Sequence, residues 1–421
     1  YGFVQRMDFK IDDLNSFLKK YPKSQYRDDA LYELANTYSN QGKNDLAIST
    51  YDLLIKEFNS SSFTARSILR QGLIHYNSNK PQPALVKFKK VVAEFPGSPE
   101  SVEAVSTARQ IYVDAGNVEE YSNWVKTLDF VEVTDSDLDN TTYESAEKMY
   151  LQGNSKGATS GFLSYVTKFP NGMHALKANF YLAQLYFADD LENNAIDHYE
   201  FVIAKNRNEF TEQSLARLSE IYLKKKDYGN ANAVLLRLEK EADFPQNITF
   251  AQSNLMKVFY EQQDYANSVI YADKVLMQPK IEERVKNDAQ TIIARSAIKT
   301  NNEAKAREWF GKLLLTAKGE LAAEANYYDA FFKNKDGKFK ESNDVVNKII
   351  QDFRNYDYFF KKSLLVKAKN DYSLNDSFNA LVLLEALIEQ GKGYPDILEE
   401  AQKLQTEYKA KEAERNSSIQ N

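Results

Sequence analysis

The 421-residue sequence contains no cysteine, which excludes disulfides, thiolate zinc sites and cysteine nucleophiles together. A chain free of stray thiols also fits an oxidising compartment. Histidine is almost as scarce, with only His75, His174 and His198. None lies at metal-ligand spacing from another, so each is expected to be a packing or surface histidine. No apolar run reaches the roughly 18 residues that a membrane-crossing helix needs. Neither sign of charge dominates: 54 basic residues face 60 acidic ones, a net charge of −6. A nucleic-acid surface would need a basic stripe, and the lysines and arginines are spread along the chain. Tryptophan is rare at 2, against 27 tyrosines and 25 phenylalanines. Tyrosine joins apolar area to a polar tip, which suits both helix seams and half-exposed binding surfaces.

Patterns that carry chemistry are also missing. No Ser/His/Asp set is brought together by spacing, and carboxylates alternate with lysines as solvated helix faces do. Gly153, Gly157 and Gly161 surround Lys156 without the order that a phosphate loop requires. Asp135, Asp137 and Asp139 imitate the start of a calcium loop, with Glu144 and Glu147 nearby. However, Asn140 and Ala146 stand where the glycine and the bidentate glutamate would be needed. These acids are expected in a solvated linker that caps the next helix. No catalytic, cofactor-binding or metal-binding residue is nominated, and the chain is expected not to be an enzyme.

What the sequence does contain is a period. Alanine or serine stands at 47, 84, 158, 195, 231, 268, 306, 342 and 380, and Glu120 fills the one gap. A small residue usually lies twelve positions earlier (Ala35, Gly72, Ala146, Ala183) and a bulky one four positions later (Tyr51, Phe88, Phe162, Tyr199). Repeats of this length mark units that cannot bury a core alone and must stack. Segment 28–59 shows one unit. Leu31, Leu34, Ala35 and Tyr38 form a helical stripe, Gln41-Gly42-Lys43 breaks it, and Ala47, Ile48, Tyr51, Leu54 and Ile55 form a second stripe.

In the order Leu31, Leu34, Ala35, Tyr38, Gly42, Ala47, Tyr51, the sequence resembles the tetratricopeptide repeat family, as it does again at Leu182, Ala183, Tyr186, Ala195, Tyr199 and Val202. The resemblance implies an all-α fold, a right-handed α-α superhelix of about ten helix pairs. The phrases Tyr21-Pro22-Lys23-Ser24, Phe95-Pro96-Gly97-Ser98 and Phe169-Pro170-Asn171-Gly172 are similar to those of envelope tetratricopeptide proteins of Gram-negative bacteria. That group includes outer-membrane assembly lipoproteins and cell-division coordinators of the Tol-Pal system. Its lipoproteins are anchored through an N-terminal cysteine, which this chain lacks. Because the sequence opens on Tyr1-Gly2-Phe3 and partway through a helix, it reads as a processed or partial piece.

The expected organisation is a partial first repeat over 1–27, an N-terminal array over 28–130, an acidic linker over 131–141, a C-terminal array over 142–390, and a capping helix with a frayed tail over 391–421. If the array coils as the family does, one face of each first helix lines a concave groove. The groove residues are then Tyr32, Asn36, Tyr76, Arg109, Tyr112, Tyr143, Tyr150, Phe180, Gln184, Phe187, Tyr260, Arg295, Tyr327, Phe331, Lys369 and Tyr372. Leu69, Leu73 and Lys257 join them. Aromatic residues with scattered arginine are the composition of interface anchors. Family members that clamp a terminal carboxylate use Lys and Asn in this groove. Asp29, Tyr32, Arg66 and Leu69 stand here instead, which argues against a chaperone-tail receptor. Lys333, Lys335, Lys338, Lys340, Lys361, Lys362, Lys367 and Lys369 concentrate positive charge near the C-terminus, although solvated lysines beside acids are the preferred reading.

The functional expectation is a non-enzymatic protein-protein scaffold in a periplasmic outer-membrane assembly, secretion or cell-envelope complex, with no cofactor and no nucleic acid. It would have no transmembrane span, and any membrane association would be peripheral or through a lipid anchor outside this sequence. The alternative is a cytoplasmic adaptor in a regulatory complex.

Overall fold

The structure, a computed structural model, describes residues 3–390 and 393–419. Every regular element among the described residues is an α-helix. They form two compact units, divided between Phe210 and Thr211. In the first, α1 (Phe3–Lys20) is followed by the pairs α2 (Arg27–Asn40) and α3 (Asn44–Glu57), α4 (Thr64–Asn77) and α5 (Pro81–Glu94), α6 (Pro99–Ala115) and α7 (Val118–Val125), α8 (Asp135–Leu151) and α9 (Ser155–Lys168), and α10 (Ala175–Ala188) and α11 (Glu192–Ile203). The second pairs α12 (Thr211–Lys224) with α13 (Tyr228–Glu241), α14 (Pro245–Glu261) with α15 (Tyr265–Leu276), α16 (Glu283–Lys299) with α17 (Glu303–Thr316), α18 (Gly319–Lys335) with α19 (Phe339–Asp352), and α20 (Asp357–Ser373) with α21 (Ser377–Gln390). α22 (Pro395–Ile419) packs on α21 and α20. Ten helix pairs in series is the all-α repeat architecture that the period predicts.

Close packing explains the period. Ala35, Ala146, Ala183, Ala294, Ala330 and Ala368 on first helices, and Ala47, Ala84, Ala158, Ala195, Ala231, Ala306 and Ala380 on second helices, are at most 1% exposed. Two helix axes approach only where both side chains are short. The bulky residue one turn on, such as Tyr51, Phe88, Phe162, Tyr199 or Phe310, is sealed into the seam. Gly72 shows how little room remains, because a Cβ there would lie 2.5 Å from the Phe88 ring. Serine at the second-helix position has its own reason. Ser268 donates to the Met256 carbonyl at 2.8 Å and Ser342 to the Ala330 carbonyl at 2.7 Å. Each hydroxyl bonds the facing first helix at the residue twelve positions earlier.

The structure corrects the reading of Glu120 as the gap in the period. Counting by 37 from Ala47 through Ala84 leads to residue 121, then to Ala158 and Ala195. Tyr121 is the buried residue there, and Val125 occupies the place held elsewhere by an aromatic ring. The large and small positions of this pair are therefore exchanged. Glu120 sits beside the seam, where it accepts the Tyr112 hydroxyl at 2.9 Å and meets Lys89 at 3.3 Å. In this pair α7 spans only 8 residues, against 14 in α3, α5 and α9.

The acidic linker expected over 131–141 is corrected as well. From Asp135 onward it is helix, the first turns of α8. Thr134 and Asp137 form a reciprocal capping box, which satisfies two otherwise orphaned backbone donors. The hydrogen bonds from Thr134 hold the Asp137 carboxyl below the usual range. The apolar stripe is hard to see because α8 buries polar groups, including Asp139, Thr141 and Ser145.

Between first and second helix, each chain reversal needs one residue in the left-handed conformation. Glycine supplies it at 42, 116, 153 and 337, but Lys226 and Gln263 stand there at φ of 56° and 62°. A side chain in that region costs of order 1 kcal/mol. Gln263→Gly is expected to raise stability by about 0.5–1 kcal/mol, read as a higher urea midpoint at unchanged slope.

Candidate protein-binding surface

The face expected to bind is built from the exposed side of the first helices. The first set of rings on it, three residues before the small position, packs toward the next repeat. Tyr32 stacks on Phe63 at 4.8 Å, Tyr143 on His174 at 4.2 Å and Phe180 on Phe210 at 4.3 Å. In the second unit Tyr327 meets Phe359 at 6.0 Å. Each partner ring lies about 31 residues on, at the entry to the following first helix. Such pairs contribute roughly 0.5–1.5 kcal/mol beyond burial, so these rings act as ties between repeats. Tyr143 and Phe180 are buried, as is Tyr112. The expectation that these three line an open groove is corrected.

The charged groove residues are ties too. Arg109 reaches the next first helix, donating to Thr141 at 3.0 Å and to Glu144. In the second unit Lys257 meets Asp288 at 2.5 Å, and Lys369 meets Glu400 at 2.6 Å. Arg295 holds Glu324 with two hydrogen bonds of 2.8 and 2.6 Å. Glu324 is only 3% exposed, and its hydrogen bonds lift the Arg295 pKa. Within each unit these charges are therefore neutralised in pairs.

The remaining predicted residues divide between packing and presentation. Asn36 accepts the Tyr51 hydroxyl at 2.5 Å. Tyr150 stacks on Tyr181 at 4.7 Å and Tyr372 on Tyr408 at 3.7 Å. Tyr76 lies half-buried against the core of the α4–α7 region, as Leu73 does; Leu69 is buried in that core. Phe331 is half-buried against Tyr327 and Tyr328, and Phe187 is half-buried on α10. Gln184 keeps its Nε2 buried with no hydrogen-bond partner among the described residues. Tyr260 is half-buried, edge-on to Tyr265 at 5.5 Å, and desolvation raises its pKa.

One class of functional position went unread in the sequence. Seven residues before the small position, a polar side chain fastens the loop one repeat later. Asp28 accepts from Ser61 at 2.7 Å, and Glu212 accepts from the backbone N–H groups of Asp243 and Phe244 at 2.9 and 3.2 Å. Asp139 is the most buried of these. It accepts the Tyr165 hydroxyl at 2.5 Å and the Met173 N–H at 2.8 Å, while the Tyr165 oxygen accepts from His174 N–H at 2.9 Å. The expectation of a solvated Asp139 is thereby corrected. Burial and this carboxylate push the Tyr165 pKa up. Asp28, Asp139 and Glu212 share that register, and this was the signal the sequence offered.

His174 lies 2.7 Å from Asn140 Oδ1 through Nε2, and His198 lies 2.7 Å from Asn179 Oδ1 through Nδ1. Burial lowers the His198 pKa. No group of three or more His, Cys, Asp or Glu side chains among the described residues is arranged to hold a metal ion. Apart from Lys338 and Lys340, the C-terminal lysines are paired rather than pooled. Lys333 meets Asp329, Lys335 meets Glu303, Lys361 meets Asp357, Lys362 meets Asp396 and Lys367 meets Asp371.

Comparison with known proteins agrees with the repeat. Residues 29–61 and 66–98 match the family profile of the tetratricopeptide repeat. No curated protein matches the sequence. Among solved structures, yeast Tom70 shares 12% identity over 99% of both chains, with a TM-score of 0.34. A tetratricopeptide repeat protein from Parabacteroides merdae shares 13% identity over 63% of this chain and 98% of that one, with a TM-score of 0.26. PilW, titled a widely conserved type IV pilus biogenesis factor, shares 12% identity over 61% of this chain and 94% of its own, with a TM-score of 0.28.

Proposed function

We propose that this chain, a tetratricopeptide-repeat scaffold, binds protein partners through the face of its first helices, and that it does so in the periplasm, at an outer-membrane assembly, secretion or cell-wall machine. One observation carries the binding reading. Half-buried rings such as Tyr76, Tyr150, Tyr260 and Phe331 are presented on the first helices, while the charges beside them are tied to one another. A surface of that kind offers apolar area and hydroxyl groups at low ordering cost, the composition of interface anchors. Many modest contacts on linked repeats then add through effective concentration. The Pro-containing phrases at 21–24, 95–98 and 169–172 and the absence of cysteine support the envelope setting. No described helix is long and apolar enough to cross a membrane.

The test is affinity purification from cross-linked cells with the wild-type chain and with Tyr260→Asp. Envelope proteins recovered by the wild type and depleted by the variant are the expected result. Recovery of soluble cytoplasmic proteins alone would sink the envelope setting and favour a cytoplasmic adaptor. Equal recovery with Tyr260→Asp would count against this face. With the charges paired internally, the affinity of a purified partner should change by less than roughly threefold between low and physiological salt, because screening acts mainly on unpaired surface charge.

A further inference from the structure

Between α7 and α9, over α8, the first unit holds a cleft of about 510 Å³, within the range of roughly 300–1,000 Å³ typical of ligand sites. On one side stands α7, only 8 residues long, with Tyr121 and Val125 buried. On the other side Gly161 draws α9 onto α8, since a Cβ there would lie 2.9 Å from the Ala146 Cβ. Ser122 and Asn123 of α7, with Lys126 just past its end, face Ser160 and Ser164 of α9 across it. None of these five side chains has a hydrogen-bond partner among the described residues. Leu138, Ala146 and Met149 of α8 supply an apolar floor, and the Lys168–Glu119 ion pair of 3.3 Å spans from α9 to α7.

We propose that this cleft binds a short extended peptide segment of a partner protein. The unpaired serine hydroxyls and the Asn123 amide hydrogen-bond its backbone, and an aliphatic side chain rests on the α8 floor. The lining chemistry selects this ligand class. Both donors and acceptors stand unpaired, which matches the alternating N–H and C=O groups of an extended peptide. Lys126 and Lys168 are balanced by Glu119 and Asp135, so the cleft has no excess positive charge for a phosphate group or a nucleic acid. Phe169 is the one aromatic residue in the lining, too few to make the stacking platform that bases use. Its walls belong to α7 and α9 and its floor to α8, and the proposal does not rest on the first-helix groove residues.

A phage-displayed library of random short peptides, panned on the full chain, provides the probe. Enriched sequences would be made as synthetic peptides and measured by fluorescence anisotropy on the wild type, Ser160→Trp, Ser164→Trp, Lys126→Glu and Tyr260→Asp. Ser160 and Lys126 are exposed, so these two variants carry the test should Ser164→Trp fail to fold. The expected result is a loss of about tenfold or more in affinity on each cleft variant, with Tyr260→Asp binding as the wild type does. Enrichment of no peptide overturns the proposal. So does equal binding to the wild type and the cleft variants, or a loss confined to Tyr260→Asp, which would place the peptides on the first-helix face.

Discussion

Replacing Arg295 with alanine should cost about 3–5 kcal/mol of stability. The cause is its partner. Glu324 is almost fully buried at 3% exposure and takes both of its hydrogen bonds from Arg295. With the guanidinium gone, a carboxylate would be left desolvated and unpaired in the seam between α16 and α18. A double change, Arg295→Met with Glu324→Leu, should recover most of the loss, because a well-packed apolar pair needs no compensation. Urea unfolding of the wild type, the single variant and the double variant decides the point. In a repeat array the damage should also stay local, so hydrogen exchange should speed up first in α16 and α18. A single-variant loss below about 1 kcal/mol would mean that Glu324 finds another partner or water.

Asp139→Ala should cost nearly as much, about 2–4 kcal/mol, since each buried donor left without an acceptor costs about 1–3 kcal/mol. Two such donors depend on this carboxylate, the Tyr165 hydroxyl and the Met173 N–H. Gly172 adds a steric constraint, because a Cβ there would lie 2.5 Å from Asp139 Oδ2 and 2.6 Å from the Tyr165 oxygen. Asp139→Asn keeps one acceptor oxygen and should retain about half of the stability lost in Asp139→Ala. Thermal unfolding by circular dichroism measures both. Added calcium should raise the melting temperature of neither the wild type nor the variants, because the Asp139 oxygens are already occupied by protein donors and Asp137 is engaged with Thr134.

The helix pairs were legible because close approach of two helices permits only short side chains, and that demand recurs at every seam. Ala35, Ala47 and their repeats therefore mark the architecture in one dimension. The Glu120 error shows the limit of such reading. A sequence period counts residues, whereas the seam sorts volumes, and Tyr121 with Val125 meets the volume requirement in reverse. The same limit governs the candidate surface. Tyr143, Phe180, Arg109 and Arg295 stand at positions that face outward from their own helix.

Whether such a residue stays free depends on a partner about 30 residues away. The His174 ring, the Phe210 ring, Glu144 and Glu324 are those partners, and only the tertiary structure places them within reach. The sequence alone thus determined that this chain is a stack of helix pairs, because the requirement for small residues is local and repeated. The tertiary structure decided which polar and aromatic groups hold the stack together and where α7 leaves it open, because those outcomes depend on contacts between repeats.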